Sequence, residues 1–134
     1  MKWLKKLFVP EEVNTVLEIL DGEKTQYNCS AFDMLYSTIK NIVISNSNTV
    51  LKQIKEGISP EQFTYSAIAN LAGDLLESGK YHIYRGVLNP IGIGKDLLEI
   101  FDTSVDKMIL IGVVNKDYAD EQKRGIRDNI KNVG

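Results

Sequence analysis

The chain is poor in the residues that carry most protein chemistry. Among 134 residues there is one cysteine, Cys29, and one histidine, His82. A single thiol excludes an internal disulfide and any multi-cysteine zinc site, and it favours a reducing compartment. Cys29 and His82 are distant in sequence, so no pair of soft or borderline ligands stands at metal-binding spacing. Glu-x-x-His, the di-iron bundle signature, is absent because Gly79 precedes His82 by three. No apolar run approaches the roughly 20 residues needed to span a bilayer. Neither sign of charge dominates: 16 Lys and Arg stand against 18 Asp and Glu, for a net charge of −2. That balance argues against a nucleic-acid partner, which requires a basic face.

What is present is ordinary for one soluble domain: 43% hydrophobic and 25% charged residues. A chain of this length buries a sizeable core without metal or disulfide. Residues 1–134 are expected to form a single helical domain, with 1–9 a short basic amphipathic segment. There Trp3, Leu4, Leu7 and Phe8 alternate with Lys2, Lys5 and Lys6 at helical spacing. Two readings compete for that segment. One is a membrane-surface foot, with lysines on anionic lipid and Trp3 at the interface. The other is a first turn folded onto the body. The lysines leave no apolar h-region, so the segment does not read as a signal peptide, and a cytoplasmic protein is expected.

Helical periods fill the rest. Pro10 with Glu11 and Glu12 opens a helix in which Val13, Val16, Leu17 and Leu20 share a face, and Asp21-Gly22 is expected to stop it. Ser30 reads as an N-cap with Asp33 at N3. Phe32, Leu35, Tyr36, Ile39, Ile42 and Val43 then trace a face. Asn46-Ser47-Asn48-Thr49 interrupts it, leaving 31–56 as one bent helix or two short ones. Ser59-Pro60-Glu61-Gln62 is a complete start signal and Gly79 a C′ residue, predicting a helix over 60–78. Its small Ala67, Ala69, Ala72 and Gly73 admit a close neighbour. Leu97, Leu98, Phe101, Val105, Met108 and Ile109 continue the period after Gly94 until Gly112. A last helix runs from about Asp117 to Asn132. The expected fold is an all-α bundle of about five amphipathic helices. The alternative is α+β, with a small hairpin from 80–88 and 108–114, both rich in strand formers.

The densest cluster of functional groups lies at Gly79–Gly94. If helix resumes after Gly79, Tyr81, Tyr84 and Arg85 share a face, His82 stands three before Arg85, and Asp74 and Glu77 come just upstream. Histidine titrates near neutrality and arginine grips carboxylate or phosphate bidentately, so the cluster can be read as an anionic-ligand or enzymatic site. It can equally be a structural knot, Arg85 stacked on tyrosine and paired with Asp74 or Glu77. No nucleophile is fixed relative to the histidine, and no catalytic residue is assigned. Asn89–Asp96 fails as a P-loop, because Asn89 and Asp96 stand where Gly and Ser/Thr are required. A milder reading keeps Gly92 and Gly94 as bared N–H groups at a helix start, aided by Lys95, against a plain Pro/Gly turn. Cys29, just before a helix start, stands where a thiol pKa can be lowered, but with no partnered histidine near it in sequence it reads as a small residue at a helix entry. Nucleotide-binding, zinc-hydrolase, kinase and nucleophile-elbow motifs do not fit, and no cofactor is implied. The expected function is that of an interaction or self-association module without catalysis. Ile19, Ile44, Ile100 and Ile111, off the main stripes, are its expected subunit contacts.

Overall fold

The computed structural model describes residues 9–79 and 90–133; for 90–92 and 131–133 the description is of helix backbone. It is an all-α bundle. Six helices follow one another among the described residues: α1 Glu11–Gln26, α2 Ser30–Ser45, α3 Ser47–Lys55, α4 Pro60–Ser78, α5 Pro90–Leu110 and α6 Lys116–Val133. No strand occurs among the described residues. Residues 108–110 are the last turn of α5 and 111–115 the turn that follows, so they form no arm of a hairpin. The other arm, 80–88, lies outside the described residues.

The boundaries follow local chemistry where that chemistry is complete. Ser59 Oγ accepts from the Gln62 N–H at 3.1 Å and Pro60 occupies the first turn, so α4 starts where a side chain replaces the missing carbonyl. It ends at Gly79, whose φ of 67° lies in the left-handed region and whose N–H donates to the Leu75 carbonyl. α5 ends in a Schellman motif. Gly112 takes φ 80°, its N–H donates to the Ile109 carbonyl, and the Val113 N–H donates to that of Met108. α6 is capped by Asn115, whose Oδ1 accepts from the Tyr118 N–H at 2.7 Å.

Three boundaries differ from those read in the sequence, and the choice left open over 31–56 falls to two helices. α1 runs through Asp21-Gly22 to Gln26, because Glu23, beyond the glycine, is buried and bonded to α5. Ser30 is the first helical residue and Cys29 the cap, with no side-chain cap bond. α2 and α3 are two helices, parted at Asn46, whose side chain donates back to the Ile42 carbonyl at 3.0 Å. Helix α5 begins at Pro90, a turn before Gly94.

α4 and α5 form the most extensive helix pair; α1 and α2 pack against it, and α6 contacts both of its members. The small residues of α4 set that closeness: Ala69, Ala72 and Gly73 are buried, and a Cβ on Gly73 would meet the Phe101 ring at 3.4 Å. The side chains of Phe32, Leu20, Leu35, Ile68, Leu97 and Ile100 are fully buried. Each contributes roughly 1.5–3 kcal/mol of transfer free energy. Ile100 is therefore core and not a subunit contact. α5 touches α2, α4 and α6, so its apolar arc is broader than one stripe. Ile42 is the converse case: it extends the α2 stripe yet stands 51% exposed.

Candidate functional site

Of the cluster expected around the histidine, Tyr81, His82, Tyr84 and Arg85 lie outside the described residues. Asp74 and Glu77 are described, both exposed near the end of α4. Glu77 Oε1 accepts from Asn129 Nδ2 of α6 at 3.4 Å, so this carboxylate is bonded between two helices. Asp74 lines an open depression with Leu71 and Leu75. Trp3, Leu4, Leu7 and Phe8 also lie outside the described residues. Gly94 is the fifth residue of α5, where a backbone N–H is committed to the helix's own ladder, and that removes it as a bared anion donor. Cys29 fails as an activated thiol. Burial pushes its pKa up, ahead of the backbone N–H of Phe32, which pulls it down; Asp96 adds to the rise.

Two arrangements not foreseen in the sequence carry more chemistry. The first joins α1 to α5. Lys107 Nζ donates to Glu23 Oε1, and more weakly to Gln26 Oε1 at 3.5 Å. The Glu23 side chain is 6% exposed, and its Oε2 is buried with no partner in hydrogen-bond geometry. The same ammonium stands 5.0 Å over the Tyr65 ring. Burial drives the Tyr65 phenol upward, and the charge of the neighbouring Glu23 carboxylate reinforces it. Burial also raises Tyr27, which stacks on Phe32 at 5.4 Å between ring centroids. Glu23 continues the Val13, Val16, Leu20 stripe, and a carboxylate on an apolar face was the signal that could have revealed it. Lys107 has no such local mark.

The second arrangement is a half-open cavity of about 200 Å³ between α4, α5 and α6. Phe101, Val105 and Met108 wall it from α5; Ala69 and Ala119 face it from α4 and α6. Ser66, Asn70, Tyr118 and Gln122 supply its polar groups. Ser66 Oγ donates to Met108 Sδ at 3.3 Å. The corner after α5 leads to it. Leu110 is 84% exposed there, Ile111, Val113 and Val114 are half-buried, and Tyr118 is 51% exposed.

Comparison with known proteins returned no matching family model, curated protein or solved structure. Among the described residues, no three His, Cys, Asp or Glu side chains gather where a metal ion could be held. No described helix is long and apolar enough to cross a membrane. The Glu23–Lys107 pair is turned inward and fastens α1 to α5. By contrast, the α5–α6 corner and the cavity beside it face outward.

Proposed function

We propose that this chain is a helical interaction module that associates with a second copy of itself through the α5–α6 corner. The carrying observation is Leu110, the most exposed large apolar side chain among those described. The Schellman turn at Gly112 fixes the helix end that bears it. Ile111, Val113, Val114 and Tyr118 extend the apolar surface around it, and residues 108–115 carry no charged side chain, as in the centre of an interface. One patch on each copy is what a two-fold contact requires. The near balance of 16 cationic and 18 anionic side chains keeps repulsion between copies small. Ile42 and Ile44, 51% and 42% exposed on α2, are a smaller second patch. We place the module in the cytoplasm, in keeping with its lone thiol.

Light scattering over a dilution series tests this. The expected result is a dimer that dissociates on dilution, and a Leu110→Lys variant that is monomeric throughout with unchanged helix content. A wild-type chain that stays monomeric at the highest concentration overturns the reading.

A further inference from the structure

We propose that the cavity between α4, α5 and α6 is a binding site for a small, uncharged aromatic molecule bearing one polar group. Size comes first. About 200 Å³ is below the span of drug-sized pockets, but an apolar cavity of about 150 Å³ holds benzene. One ring, or two fused, is the capacity. The space arises from sequence: Ala69 and Ala119, 3% and 1% exposed, stand where a larger side chain would close it.

Chemistry of the wall selects an aromatic. Phe101 offers a ring, and the Met108 thioether is a favourable neighbour for another ring's edge. Ser66 gives its hydroxyl proton to Met108 Sδ, which leaves the Asn70 and Gln122 amides and the Tyr118 hydroxyl able to bond a ligand. All three are exposed and so belong at the mouth, where a ligand's hydroxyl or N–H would lie. No Asp, Glu, Lys or Arg lines the space. The charges between α5 and α6 are already matched, Asp102 with Arg127 and Asp106 with Lys123. A charged ligand would therefore lose water without gaining a counter-ion.

Phenol, toluene and benzoate, similar in size and different in polarity, test this on the full chain, with the Met108 methyl resonance as reporter. The titrations are run at concentrations where light scattering shows monomer, so that self-association and its failure are read separately. Phenol and toluene are expected to shift the resonance saturably, with dissociation constants on the order of millimolar. Phenol should bind severalfold tighter than toluene, and benzoate at least tenfold more weakly than phenol. Ala119→Leu, which fills the space, should abolish the shift. Asn70→Leu, Gln122→Leu and Tyr118→Phe together, all at exposed positions, should erase phenol's advantage and leave toluene binding intact. Absence of saturation with either neutral probe, benzoate binding as tightly as phenol, or an advantage that survives loss of all three polar groups would each overturn the assignment.

Discussion

Glu23 shows how much one side chain contributes to this bundle. Its carboxylate is buried beside two raised tyrosines, and Lys107 is its only cationic partner among the described residues. Removing one member of such a pair leaves an uncompensated charge, whereas removing both is close to neutral. Lys107→Met is therefore expected to cost about 3 kcal/mol. Combining it with Glu23→Leu should recover most of that loss, as read by chemical denaturation. Tyr36 is a second single-residue test. Its hydroxyl donates to Asp21 Oδ1 at 2.5 Å and accepts from Lys40 Nζ at 3.3 Å, while Lys24 Nζ stands 4.5 Å over its ring. Burial, then the hydrogen bond and charge of Asp21, push its pKa from 10.0 up to about 12. A raised folded pKa means the stabilisation is whole below the unfolded value and is lost as pH rises through the folded one. The melting temperature should therefore fall as pH climbs from 10 towards 12. Tyr36→Phe, which keeps the ring, should flatten that fall.

Asp102 obeys the same sign in the acid range. Burial raises its pKa above 3.8, ahead of the opposing pull of Arg127 and Lys123. The folded chain holds that proton where the unfolded chain has released it, so this carboxylate stabilises least once ionised. Asp102→Asn should gain on the wild type as pH rises from 3.8 to neutrality, in melting temperatures taken across that range. Arg127, 46% exposed on its side chain, is left to water.

At the level of the helix, α1 and α4 separate what is local from what is not. α4 was legible from Ser59 to Gly79 because every signal at its ends lies within three or four residues: cap, proline, and left-handed glycine. The end of α1 was not legible. Gly22 reads as a stop only to a local eye, and the bond that carries the helix past it joins Glu23 to Lys107, 84 residues away. Propensity lost to a tertiary contact there. Ile100 and Ile42 were misplaced for a related reason: a stripe gives the direction of a helix's buried face, but the number of neighbours fixes its width. The cavity was half legible. Small residues on α4 were visible as a close approach, but the void needs Ala119 opposite, and that pairing belongs to the bundle. Gly22 is helical and exposed, and a Cβ added there would meet nothing within 4 Å. Gly22→Ala should therefore stabilise the chain by about 0.5–1 kcal/mol through helix propensity. Gly73→Leu, which would press on Phe101 and Ile126, should cost about 1–3 kcal/mol.

For the molecule as a whole, folding and association draw on different side chains. The buried cluster takes residues from all six helices, and Leu110 is not among them. An 84% exposed leucine adds almost nothing to the stability of one isolated copy. If it seats in a contact between copies, it stabilises the folded state only by mass action, because the unfolded chain cannot make that contact. The melting temperature should therefore rise with protein concentration in the wild type. In Leu110→Lys it should not vary with concentration, and should equal the wild-type value extrapolated to high dilution. Core substitutions behave in the opposite way. Phe32→Ala should lower stability by about 3–5 kcal/mol at every concentration. Calorimetry over a wide concentration range separates the two. Parallel, concentration-independent melting of wild type and Leu110→Lys would show that the exposed corner meets no second copy.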